Sequence, residues 1–147
     1  MFLFFLGRWR WGGTYYVQAL ELPLTVLFIG IAPGLLSMAI LAVNNLRDRI
    51  TDQKAGKKTL AVRFGATFVQ VEYLLCLLGA CAVPLVLYLQ TQQHPYSLLA
   101  LGILIPAIPA LRQVFSKEGG TLLNPTLAQT GKLLLLYSIL FSLGWLF

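Results

Sequence analysis

Asn44, Asp48 and Asp52 recur at intervals of four residues in the segment Asn44-Asn-Leu-Arg-Asp-Arg-Ile-Thr-Asp-Gln-Lys-Ala-Gly-Lys-Lys-Thr59. On a continuous helix that interval stacks the three side chains on one face. Two carboxylates and an amide oxygen suit a magnesium ion, which takes few protein oxygens and fills its octahedron with water and substrate phosphates. Lys54, Lys57, Lys58 and Arg63 follow closely and supply positive charge for a phosphorylated ligand such as a diphosphate. Arg47 and Arg49 are expected on faces away from the acidic ridge. The competing reading is a solvated turn beside a membrane, with the two carboxylates paired internally to Arg47 or Arg49. Gly56-Lys-Lys-Thr59 is not a phosphate-binding P-loop, because that motif needs a second glycine and a preceding strand.

The elements that must position this segment are membrane spans. The 147 residues are 58% hydrophobic and 11% charged, against about 25% charged in a soluble domain. The charges leave long runs empty, and spans need roughly 20 apolar residues. The expected fold is all-α, a polytopic transmembrane helical bundle forming a single membrane domain over residues 1–147. Residues 1–20 read as a partial or interfacial helix, and 22–43, 69–89, 96–111 and 127–147 as transmembrane helices. Residues 44–64 form the Asp-rich segment on the cytoplasmic side. Pro33 is expected to bend the first span and line a cavity. The span at 96–111 is short for a straight crossing. Cys76 and Cys81 read as buried thiols.

The net charge is +6, but the basic residues cluster at the ends of apolar runs. That pattern is the positive-inside bias and argues against a nucleic-acid partner. The 47–63 region, with six basic residues, is placed in the cytoplasm. Near the start, Arg8-Trp-Arg-Trp11 and Tyr15-Tyr16 fit an interfacial aromatic belt. Tyr15 and Tyr16 are also candidates to flank a cationic carbon.

The run from Asn44 to Gly65 closely resembles the second aspartate-rich motif of the intramembrane aromatic prenyltransferases. Within that family it is most similar to the 1,4-dihydroxy-2-naphthoate polyprenyltransferases. Gly12-Gly-Thr-Tyr-Tyr-Val-Gln18 and Leu123-Asn-Pro-Thr-Leu-Ala-Gln-Thr130 resemble the same branch. The resemblance implies a multi-pass protein of the bacterial inner membrane. It also implies transfer of a polyprenyl group from its diphosphate to dihydroxynaphthoate, with release of diphosphate and loss of the ring carboxylate, giving a demethylmenaquinone. Asn44, Asp48 and Asp52 would hold diphosphate through Mg²⁺, for which Mn²⁺ is a substitute, and Lys57 and Arg63 would contact phosphate.

The family carries two aspartate-rich motifs on a chain about twice as long. Only the second is found here, so the chain is expected to be a C-terminal half. Its expected partner is an N-terminal half carrying the first motif, and alone it is expected to be inactive. The alternatives are a prenyltransferase for another aromatic acceptor, or a non-catalytic membrane scaffold or transporter fragment.

Overall fold

The computed structural model describes residues 10–20, 24–116 and 120–147. The expectations for residues 1–9 and for the first two residues of the 22–43 span lie outside the described residues. Every regular element among the described residues is helical. They are α1 (Arg10–Ala19), α2 (Leu24–Arg47), α3 (Arg49–Lys54), α4 (Leu60–Thr91), α5 (Leu104–Ser116) and α6 (Asn124–Leu146). A 3-10 segment, Pro95–Ile103, runs into α5, and a shorter one, Thr121–Leu123, leads into α6. Four helical stretches are long and apolar enough to cross a membrane: Leu24–Arg47, Leu60–Thr91, Pro95–Ser116 and Thr121–Leu146. The bundle is thus all-α and polytopic.

The core lies where α2 meets α4. On α2, Ala32, Leu36, Ala39, Val43 and Leu46 are fully or almost fully buried, at the spacing of one helical face. On α4, Val69, Tyr73, Leu77, Ala80 and Leu87 are buried in the same core. Alanine and glycine keep these backbones close, as membrane helices require when lipid offers no hydrophobic incentive to pack. The closest approach is elsewhere. A Cβ on Gly144 of α6 would run into the Tyr96 carbonyl.

Two backbone devices set the span lengths. In α4, 32 residues would extend about 48 Å, more than a bilayer core of roughly 30 Å. Gly65 interrupts it with φ 87° and ψ 179°, a conformation open to glycine and strained for other residues. The crossing part therefore starts past Gly65, and Leu60–Phe64 forms a separate helical turn ahead of it. In the next span the opposite adjustment occurs. The nine residues of Pro95–Ile103 are wound as a 3-10 helix, which rises about 2.0 Å per residue instead of 1.5 Å. With the 13 residues of α5, the stretch reaches about 38 Å, enough to cross.

Between these spans runs a seam of interhelical hydrogen bonds. Thr130 Oγ1 donates to the Thr126 carbonyl at 2.8 Å, which leaves the Tyr73 hydroxyl to donate to Thr130 Oγ1 at 3.0 Å. Thr126 Oγ1 donates to Gln113 Oε1 at 2.6 Å, and Gln129 Nε2 to the Pro106 carbonyl at 3.0 Å. Gln70 Nε2 reaches the Val114 carbonyl, and the Tyr137 hydroxyl the Ala80 carbonyl. At the far end, His94 stacks on Trp145 with ring centroids 4.2 Å apart. Cys76 and Cys81 are free and buried.

Candidate functional site

The three oxygen-bearing residues sit where α2 gives way to α3. Asp48 breaks the helix with φ −92° and ψ 5°, yet the i→i+4 pattern survives the break. The Asp48 amide donates to the Asn44 carbonyl at 3.0 Å, and the Asp52 amide to the Asp48 carbonyl at 2.8 Å. Asn44, Asp48 and Asp52 therefore remain on successive turns. Asp52 is buried and Asp48 partly so.

Each carboxylate already holds a cation. Arg47 forks onto Asp48, with Nε to Oδ1 at 2.7 Å and Nη2 to Oδ2 at 2.6 Å. The Arg47 bond holds the Asp48 carboxyl below the usual carboxylate range, against a smaller opposing effect of burial. Lys57 Nζ donates to Asp52 Oδ1 at 2.8 Å, and its backbone N–H to the Asp52 carbonyl at 2.9 Å. That side-chain bond raises the Lys57 pKa. Gly56, at φ 71°, makes the reversal that brings Lys57 back over Asp52.

Arg47 departs from the expectation. It does not point away from the acidic ridge. The break at Asp48 turns the next carboxylate toward the guanidinium, and the flexible arginine stem closes the bidentate pair. The same side chain reaches α6 through Nη1, 3.3 Å from Asn124 Oδ1, and the Gly120 amide donates to the Arg47 carbonyl at 2.9 Å. Arg47 and Asn124 thus tie the acidic segment to the start of the last helix. The Asn-Pro step before α6 was the one sequence signal of that link.

Lys54, Lys58 and Arg63 are exposed. Arg63 lies over the Phe64 ring, 5.9 Å from its centroid. The structure draws Lys57 alone of the four downstream cations onto a carboxylate. Beside it the Thr59 hydroxyl is buried, with no hydrogen-bond partner among the described residues. No group of three or more His, Cys, Asp or Glu side chains converges among the described residues. A metal here would draw on two carboxylates and the Asn44 amide oxygen.

An apolar cavity of about 270 Å³ opens between α1, α2 and α6. Gly30 and Pro33 of α2 line it, with Tyr15 and Gln18 of α1 and Tyr137, Ser138 and Phe141 of α6. Pro33 thus borders a cavity, as expected, and Tyr15 but not Tyr16 lines it. Val26, Gly30, Pro33, Ser37 and Asn44 fall at helical intervals that place them on one face of α2, and Asp48 follows one turn beyond Asn44, just past the end of that helix. The cavity and Asn44 share that face.

The UbiA prenyltransferase family model matches residues 1–139. The chain is 38% identical to a 1,4-dihydroxy-2-naphthoate octaprenyltransferase of Haemophilus influenzae, over 98% of this chain and 47% of that protein. It is 35% identical to a protein of the same name from Escherichia coli, over 97% of this chain and 46% of that one. It is 34% identical to the UbiA prenyltransferase domain-containing protein 1 of Mus musculus, over 89% of this chain and 37% of that one. The chain spans about half the length of the curated relatives it matches. No solved structure matches it at a significant level. Four membrane-length helices and these relatives make it a multi-pass membrane protein, in bacteria one of the inner membrane. With that match running through the acidic segment and all but the end of α6, the chain belongs to the UbiA prenyltransferase family.

Proposed function

We propose that this chain forms one wall of a prenyltransferase that moves a polyprenyl group from its diphosphate to 1,4-dihydroxy-2-naphthoate, releasing diphosphate. The observation that carries the reading is the shared face of α2. An apolar cavity with a few hydroxyls lies along the same face of α2 as Asn44, which stands one turn before Asp48. A substrate with a long hydrocarbon tail and a charged head matches that polarity.

Asn44, Asp48 and Asp52 would hold magnesium, and their hard-oxygen set fits it. When bound, the metal supplies positive charge that neutralises the departing diphosphate. Binding requires Arg47 and Lys57 to release their carboxylates. Both are then free to meet phosphate oxygens, Arg47 with a planar fork and Lys57 as a mobile point charge. Lys54, Lys58 and Arg63 add attraction at the rim. Tyr15, Tyr137 and Phe141 would shield the reacting carbon from water. The family's first aspartate-rich motif is expected elsewhere, so its acidic ligands and the opposite cavity wall would come from outside these residues. Alone, the chain is proposed to be inactive.

The test is a membrane assay with Mg²⁺, polyprenyl diphosphate and dihydroxynaphthoate. The chain is assayed alone and together with the complementary half of the Haemophilus influenzae relative. Prenylated product only from the pair, abolished by Asp48→Asn, is the expected result. Full activity from the chain alone, or product unaffected by Asp48→Asn, would overturn the proposal.

A further inference from the structure

Three acidic residues lie among the described residues. Asp48 and Asp52 are ion-paired; Glu72 has no partner among them. Glu72 lies within the α4 span and lines a cavity of about 230 Å³ in the groove between α2 and α4. Its neighbours there include Leu35, Phe68, Val71, Leu75 and Cys76. A carboxylate in such a setting is expensive unless it meets a cation or a donor at its own depth, and charges inside membranes pair with one another. On α6, Lys132 is the mirror case. It is exposed, without a partner among the described residues, and lines a different cavity of about 500 Å³ with Pro106, Gln129 and Leu136.

Two hydrogen bonds fix the relative depth of these charges. Tyr73 meets Thr130, and Tyr137 meets Ala80, each pair separated by 57 positions. The equal offset means that α4 and α6 run parallel with a constant register. By that register Lys132 stands level with Leu75, three residues beyond Glu72. At 1.5 Å per residue the difference is about 4.5 Å, which the flexible lysine stem spans by reaching back toward the cytoplasmic side. The two charges are opposite, unpaired among the described residues and nearly level. They open into different grooves, Glu72 between α2 and α4 and Lys132 between α5 and α6.

We infer that the chain associates with a second copy of itself in the membrane, through Glu72 in the α2–α4 groove of one copy and Lys132 on the α5–α6 face of the next. The contact joins two different surfaces, so each copy keeps a free Glu72 face and a free Lys132 face. Association of this kind closes into a ring or extends as a row. It is independent of catalysis.

The experiment uses the full chain in lipid nanodiscs or native membranes, carrying two different tags on co-expressed copies. Wild-type copies are expected to co-purify. Glu72→Lys alone sets two cations against each other at the contact, and Lys132→Glu alone sets two carboxylates. Either variant, tagged both ways, should lose at least about ten-fold in co-purification. Co-expressing the Glu72→Lys chain with the Lys132→Glu chain restores opposite charges at both contacts, so mixed pairs should return to the wild-type level. Recovery in the mixture also shows that each variant is folded. The inference is overturned if the wild type is monomeric in lipid, if either variant self-associates like the wild type, or if the mixture recovers nothing. Capture of Glu72 by a different polypeptide, with wild-type copies failing to pair, would overturn it as well.

Discussion

The acidic segment at one end of the bundle and the hydrogen-bonded seam inside it satisfy polar groups in opposite ways. At the segment, Asp48 and Asp52 are held by mobile cations, and the Lys57 side chain is two-thirds exposed. Exposed ion pairs are worth about 0–1 kcal/mol, since water competes for both partners. In the seam, Tyr73, Thr130, Thr126 and Gln113 are linked across α4, α5 and α6, with Tyr73, Thr126 and Thr130 buried. There Thr130 Oγ1 serves two neighbours at once, accepting from Tyr73 and donating to the Thr126 carbonyl. On the proposed function, the first region would exchange its partners for a metal and a phosphate at little energetic cost. The second would keep the helices in register during that exchange.

Breaking the comparison at its functional end has the largest expected effect. Asp48→Asn should lower Mn²⁺ affinity of the paired halves by about 10–100-fold, the scale for disturbing a metal site, while melting temperature barely moves. Spin-resonance titration with Mn²⁺ checks the first and thermal unfolding in detergent the second. A large loss of stability with metal binding intact would reverse the roles assigned to the two regions. Gly144→Ala tests the packing that holds the seam. With the Tyr96 carbonyl in the way of any Cβ, overpacking should cost about 1–3 kcal/mol, read by thermal unfolding. An unchanged melting curve would mean that α6 shifts freely there.

Smaller effects sharpen the contrast. Tyr73→Phe removes one seam bond and should cost about 0.6 kcal/mol, and under about 2 kcal/mol. A cycle with Thr130→Val should show the two substitutions to be non-additive. For the Arg47–Asp48 pair, pH is the probe, in metal-free buffer with chelator. The folded Asp48 pKa lies below its unfolded value. Its contribution is therefore present in full above the unfolded pKa of about 4 and is lost as pH falls through the lower folded value. Arg47→Gln should remove that acid-side loss, with a difference below about 1 kcal/mol. Thr59→Val removes a buried hydroxyl that lacks a partner among the described residues, so stability should stay level or rise slightly.

Much of the fold was legible because it rests on local pattern. Apolar runs announce spans whatever their neighbours do, and the four-residue interval of Asn44, Asp48 and Asp52 survives a real break in the helix because the backbone bonds across it persist. Arg47 was misread for the same reason. Helical periodicity alone turns it away from Asp48, and it holds no information about the change in φ and ψ at that residue. Glu72 leaves little trace in the sequence pattern beside a long apolar run, since one charge hardly alters a hydropathy average.

The sequence by itself determined the membrane class, the all-helical composition and the residue types available for a metal and a diphosphate. Those follow from hydrophobicity and short-range spacing. Only the tertiary structure decided that Arg47 bridges Asp48 to Asn124, 77 positions away. It also decided that the 3-10 winding of Pro95–Ile103 lengthens a short span, and that α4 and α6 lie parallel with Glu72 and Lys132 nearly level. Such facts depend on contacts between segments distant in the chain, which no local spacing encodes.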